Sequence, residues 1–406
     1  MKTVPRPQPQ LDWLYTTQLF GIKLGLEGVH RLLRELGLPR AGMKFIHVAG
    51  TNGKGSTCAF IHSMLKQAGI NAGLFTSPHL VHFGERIRDA ERLISPDEIE
   101  EGIARLRDLV RDWDPHPTFF ELAFALALEW FAQRGLEWIV LETGLGGRLD
   151  ATNAITPVVS VITPIGWDHM QILGDTLAKI ASEKAGIIKP GVPFVTQTQD
   201  QEALDVLLTT ARERNAPLTL VTQPCDLPLG LSGPHQRWNA ALALAALRAA
   251  GLDLPSKVLE AGLKQVEWPA RFQRLRPDVI LDGAHNLDAA RVLAQTWREQ
   301  FPHQKAMIVF GAVVGKDITA VLHELAPLAA EWHFTHFDSP RAMTAEELHA
   351  ILGASDVPVY CHPNLAAALD ATREASPRLI TGSLYLAGEV IAAFSPDHAA
   401  YERSWQ

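Results

Sequence analysis

The run HVAGTNGKGST, at positions 47–57, holds residue types that suit phosphate chemistry. Gly50, Gly53 and Gly55 let the backbone approach a ligand closely, Lys54 offers a cation to a terminal phosphate, and the Ser56 and Thr57 hydroxyls suit phosphate or magnesium. The spacing differs from that of the common phosphate loop: Val48 stands where its first glycine belongs, and Gly55 follows Lys54 where a hydroxyl is usual. A mostly apolar strand at 45–49 feeds the run, and good helix formers at 58–67 follow it. Backbone N–H groups and the positive end of a helix dipole would then converge on one anion.

Ligands of open α/β sheets gather beyond the carboxyl ends of strands, and four other segments place polar residues there. Glu142 ends the apolar run WIVLE. A carboxylate in that position must be paired, hydrated or metal-bound, and beside nucleotide phosphates magnesium is a natural partner. His169 stands in PIGWDH, after the run VVSVIT. Alone it reads as a hydrogen-bonded histidine; with Asp168, Glu142 and the glycine-rich loop it becomes a metal candidate. Lys184 lies in SEKAGIIK, where Ala185 to Ile188 favour burial and an easier loss of charge, a salt bridge being the alternative. The segment TSPH follows a strand ending at Phe75, and Arg86 and Arg88 beyond it read either as contacts for an anionic substrate or, by preference, as a solvated basic face.

The elements that must position these residues alternate between strand and helix patterns, the mark of a mostly parallel sheet covered by helices. Strands are expected at 44–49, 138–142, 158–163 and 193–196, helices at 118–133 and 201–215, and a buried core helix opening at Asn239. The pattern breaks at Glu267-Trp268-Pro269-Ala270, and a second alternation starts at Asp278. A chain of 406 residues exceeds the size at which single cores split, so two α/β domains are expected. These are a phosphate-loop domain at 1–268 and a smaller Rossmann-like domain at 269–406.

With 47% hydrophobic and 20% charged residues the composition is that of a globular protein. A formal charge of -8 argues against general binding to nucleic acid or anionic membrane. Cys58, Cys225 and Cys361 fit neither a metal-ligand spacing nor a disulfide framework, which suggests a reducing cytoplasm. Neither a signal-peptide core nor an apolar run of membrane-spanning length is found.

Taken as a set, GTNGKGST, TSPHL, LETGLGGRLDATN, WDH, SEKAGI, ARFQ, LDGAHN and GSLYLAGEV run along nearly the whole chain. In this order they resemble folylpolyglutamate synthase and dihydrofolate synthase of the Mur ligase superfamily. The resemblance implies an ATP-dependent ligase that joins L-glutamate to the carboxylate of dihydropteroate, to the γ-carboxyl of a folate, or to both, through an acyl phosphate, releasing ADP and phosphate. It implies ATP held by Thr51, Asn52, Gly53, Lys54, Gly55 and Ser56, with Asn239, Arg271 and Asp282 adding contacts from the end of the first domain, the linker and the second domain. Ser77 and Glu142 would meet one magnesium and His169 another, the latter with a carbamylated Lys184. For dihydropteroate it implies Gly21, Ile22, Lys23 and Leu24, then Thr118, Phe119, Phe120 and Glu121, then Arg148, Leu149 and Asp150. Here TFFE replaces a TYFE-like segment, so Phe119 lacks a tyrosine hydroxyl. The family expectation is a cytoplasmic monomer with small-molecule partners. The competing readings are a polyglutamate synthase only, another Mur-type ligase, and a non-catalytic ATP-binding regulator.

Overall fold

In a computed structural model of the chain, residues 8–20, 25–374 and 376–395 are described. Seven strands form the first sheet: β1 (Lys44–Ala49), β2 (Gly73–Phe75), β3 (Ile87–Arg88), β4 (Trp138–Glu142), β5 (Val159–Ile162), β6 (Phe194–Gln197) and β7 (Leu218–Val221). Their order is β3-β2-β4-β1-β5-β6-β7, and every pairing is parallel except β2 with β3. Parallel strands covered on both faces read as continuous apolar runs. Alternation still divides their side chains: Phe45, Ile139 and Leu141 join the core under helices Pro96–Val110 and Phe119–Gln133, whereas Ile46, Val48 and Val140 join the core under Lys54–Gln67 and Pro234–Ala249.

Six strands form the second sheet: β8 (Gln273–Arg276), β9 (Val279–Leu281), β10 (Ala306–Phe310), β11 (Ala329–Thr335), β12 (Val359–His362) and β13 (Arg378–Thr381). Their order is β12-β11-β10-β13-β9-β8, parallel except for the β8 edge. Between β7 and β8 lie helix Pro234–Ala249, which packs on the first sheet, and helix Ser256–Gln265, which packs on helix Lys54–Gln67.

Strands β1 and β4 fall where the sequence pattern places them, and two helix starts do not. The helix expected at 58–67 begins at Lys54, because Gly53 in a left-handed conformation (φ 89°) lets the turn enter the helix directly. The helix expected to open at Asn239 begins at Pro234, whose fixed φ suits a first helical position. Among the described residues no helix is long and apolar enough to cross a membrane.

Candidate active site

The phosphate loop links β1 to helix Lys54–Gln67, and its shape requires glycine at two positions. A Cβ on Gly50 (φ 146°) would lie 1.8 Å from Thr163 Oγ1, and one on Gly53 2.4 Å from Asn239 Oδ1. The loop is braced from β5: Thr51 N–H donates to the Pro164 carbonyl (3.0 Å), Gly166 N–H to Thr51 Oγ1 (3.0 Å) and Thr163 Oγ1 to the Asn52 carbonyl (2.8 Å). Lys54 folds back so that Nζ donates to the Thr51 carbonyl at 3.2 Å. Asn239 reaches the loop through its own helix, donating to Gln236 (2.9 Å), which donates to Ser56 Oγ (3.3 Å). Ser56 and Thr57 are buried in the first helical turn.

Glu142 is buried at the end of β4 and accepts the Ser77 N–H at 3.2 Å. Among the described residues it forms no ion pair, and burial pushes its pKa up against the pull of Lys54, Arg271 and Arg86. A buried carboxylate with spare lone pairs suits a divalent cation. Lys184, 4% exposed at the end of helix Leu177–Ala185, donates to the Gly50 carbonyl at 2.8 Å. Burial, then the charge of Lys54, pulls its pKa down to about 7, so a large share of the amine is neutral near neutral pH. His169 takes a left-handed conformation (φ 51°), with its ring 3.8 Å from Asp168. Burial lowers its pKa to about 4. Ser77 thus meets Glu142 and Lys184 meets the loop, whereas no hydrogen bond joins His169 to Lys184. Among the described residues no three His, Cys, Asp or Glu side chains converge as a metal cage. Magnesium needs none, because it takes few protein ligands and completes its shell with phosphate and water.

The second domain meets this centre at two places. Asn52 and Asn286 exchange side-chain amide hydrogen bonds of 3.4 and 3.2 Å. Lys316, in the loop after β10, forms an ion pair with Asp168, and His285 lies 3.9 Å from the same carboxylate. Although burial opposes it, His169, Lys316 and His285 hold the Asp168 carboxyl well below the usual range. In the linker, Ala270 (φ 56°) and Phe272 (φ 44°) flank Arg271 in left-handed conformations that cost about 1–3 kcal/mol each. Asp282 stabilises this bend, accepting the Phe272 and Ala284 N–H groups at 2.8 Å each. Each of its oxygens thus accepts one backbone hydrogen bond and keeps further acceptor capacity.

The acid side needs a correction. Arg86 is not on a solvated face but fully buried, because β2 turns back through β3 and carries it under the TFFE segment. Its Nε donates to His79 Nδ1 at 2.8 Å, both terminal nitrogens are buried without a hydrogen-bond partner, and its guanidinium lies 5.2 Å from the Phe119 ring. Burial brings its pKa down to about 10. Arg88 is half-buried rather than exposed. Phe119 stacks on Tyr15 at 5.7 Å, and Phe120 lies 5.7 Å from Phe75. Thr118 and Glu121 cap helix Phe119–Gln133 reciprocally. Arg148 pairs with Glu183 at 2.8 Å, and Asp150 is buried and accepts the Leu145 and Thr152 N–H groups, with Leu149 between them in sequence. Gly21, Ile22, Lys23 and Leu24 lie outside the described residues. Sequence reasoning missed Lys316 and Asn286, although both follow strand ends of the second sheet, where the carboxyl-end rule could have found them.

Two α/β domains meeting over a phosphate loop define a Mur-type ligase. The Mur ligase middle domain matches residues 48–220, and the glutamate ligase domain of Mur ligases matches 270–384. The chain belongs to the folylpolyglutamate synthase/dihydrofolate synthase family of these ligases. It is 36% identical to the dihydrofolate synthase/folylpolyglutamate synthase of Bacillus subtilis, with 94% of this chain and 98% of that protein covered. Among solved structures it is similar to Escherichia coli FolC in complex with DHPP and ADP (TM-score 0.85, 32% identity, 96% and 99% covered). It is equally similar to a bifunctional folylpolyglutamate synthase/dihydrofolate synthase with Mn, AMPPNP and L-glutamate bound (TM-score 0.84, 31% identity, 96% and 99% covered).

Proposed function

We propose that this chain joins L-glutamate to the carboxylate of dihydropteroate and to the γ-carboxyl of a folate, consuming ATP and releasing ADP and phosphate. The observation that carries the reading is the convergence of Lys54, the Ser77–Glu142 pair and buried Lys184 around one glycine-rich loop, with the second domain closing over it. The named activities of its relatives support it. The acid's carboxylate attacks the γ-phosphorus, ADP leaves, and the amine of glutamate displaces phosphate from the acyl phosphate. The loop N–H groups and Lys54 hold the transferring phosphoryl group in line, which is most of the work of such a reaction. Thr51, Asn52, Gly53, Gly55, Ser56, Asn239 and Arg271 shape the nucleotide seat, and Asp282 acts by fixing the linker bend that presents Arg271.

Ser77 and Glu142 would hold one magnesium; a second would take His169 and Lys184, the latter once its neutral amine has added carbon dioxide and lost a proton to become a carbamate. Such ions supply charge neutralisation of the phosphates. Arg86 would pair with the acid's carboxylate once binding uncovers its two buried, unpartnered nitrogens beside Phe119. Further parts of the proposal are a domain boundary between 268 and 269, a monomeric state and a cytoplasmic location. Mass spectrometry of products tests the breadth: glutamylation of both dihydropteroate and tetrahydrofolate is expected, glutamylation of tetrahydrofolate alone would restrict the enzyme to polyglutamate synthesis, and glutamylation of neither would refute the reading.

A further inference from the structure

His47 is buried on β1 just before the phosphate loop, and it takes no part in the nucleotide, metal or acid positions proposed for the chain. Its ring opens a line of polar groups. Nε2 lies 2.8 Å from Thr152 Oγ1, and the Thr152 hydroxyl donates to Asp150 Oδ1. Asp150 also accepts the Thr152 N–H at 3.0 Å and the Leu145 N–H at 2.8 Å, a set of donors that suits a carboxylate. A hydroxyl has a single proton, so with that proton on Asp150 the Thr152 oxygen must accept from the ring. His47 therefore carries its proton on Nε2. Its Nδ1 is buried without a hydrogen-bond partner, which fits a bare acceptor better than an N–H group, since orphaned buried N–H groups are rare. Burial, then the charge of Lys189, lowers the His47 pKa to about 3, so the ring is neutral.

The far end of the line holds the glycine-rich turn at 144–150. Asp150 closes that turn through the Leu145 N–H and caps the short helix Ala151–Ala154, on which Thr152 and Asn153 stand. Asn153 adds a second tie, donating to the Arg148 carbonyl at 2.9 Å. The turn fits closely on two sides: a Cβ on Gly144 would lie 2.6 Å from the Phe120 ring, and one on Gly147 2.8 Å from the Lys184 carbonyl oxygen. It thus spaces the TFFE segment from Lys184. With the ring proton on Nδ1 instead, the Thr152 hydroxyl would turn to Nε2, and its lone pairs would face the Asp150 carboxylate and loosen the turn.

We infer that His47 is a positioning residue for the acid substrate: by donating from Nε2 it directs the Thr152 hydroxyl onto Asp150, and so fixes the turn between the TFFE segment and Lys184. The inference rests on the ligase reading above. Two measurements on the full chain test it. Two-bond ¹H–¹⁵N spectra of histidine-labelled protein, with His47→Gln identifying the signal, should show a neutral ring protonated on Nε2 at neutral pH. A ring protonated on Nδ1, or a cation, would overturn the inference. In steady-state kinetics His47→Leu, which has no donor, should raise KM for the acid about fivefold, the worth of one neutral hydrogen bond, and leave KM for ATP nearly unchanged. Thr152→Val breaks the line at its middle and should do the same. His47→Gln, whose amide can still donate to Thr152, should restore KM for the acid. An unchanged KM for the acid in His47→Leu and Thr152→Val would overturn the inference, and so would KM for acid and ATP rising together in all three variants, the mark of general damage to β1. An unaltered chain that glutamylates no acid would refute the ligase reading instead, and the nitrogen spectra would still decide the direction of the line.

Discussion

Lys184 and Arg86 are the residues whose burial changes what they can do. A lysine pKa lowered to about 7 means a neutral amine above that pH and a growing cation below it. Carbamylation requires the neutral form, so ligase turnover should fall as pH drops through about 7, and removing carbon dioxide should deepen the loss. Measuring rate against pH with and without added bicarbonate checks this; an unchanged profile would remove the carbamate from the mechanism. Lys184→Ala is expected to abolish most turnover. Arg86→Met should cost about 2 kcal/mol or more in kcat/KM for the acid, roughly 30-fold, through lost pairing with its carboxylate. Its effect on KM for ATP should be small, and steady-state kinetics with each substrate varied in turn separates the two. The burial of Glu142 and Lys184 was legible in sequence because each borders an apolar run. That of Arg86 was not, since only the β2–β3 reversal decides that an arginine near the surface in sequence lies under Phe119.

At the level of elements, the TFFE segment is both a helix start and a proposed substrate wall. Thr118 and Glu121 satisfy N–H groups of the first turn, so Thr118→Ala should destabilise the protein by about 1 kcal/mol, and Thr118→Ser should restore it. Thermal unfolding of both variants measures the cap, and KM for dihydropteroate measures the wall. Capping chemistry of this kind is local, which is why the start of Phe119–Gln133 could be read from Thr118 and Glu121. The helix after the phosphate loop could not be bounded so well. Its first residues, Lys54 to Thr57, look like a ligand loop in sequence and become helix only because Gly53 turns left-handed against Asn239.

For the whole molecule, the two sheets could be foreseen from alternation, but their mutual placement could not, because the contacts that set it join residues far apart in the chain. Asn52 with Asn286 and Asp168 with Lys316 are such contacts. Lys316→Ala leaves Asp168 without its cation, and the expected result is a more open molecule in solution, seen as a larger radius of gyration by small-angle scattering and reversed by an ATP analogue with magnesium. An unchanged radius would assign the ion pair no part in closure.

The central claim is that the acid becomes an acyl phosphate on this loop. It is tested most directly with a folate acid carrying ¹⁸O in its reacting carboxylate. Because the bridging oxygen of an acyl phosphate comes from the acid, one ¹⁸O should appear in the released phosphate for each amide bond made. Phosphate free of label, with amide bonds still formed, would contradict the account.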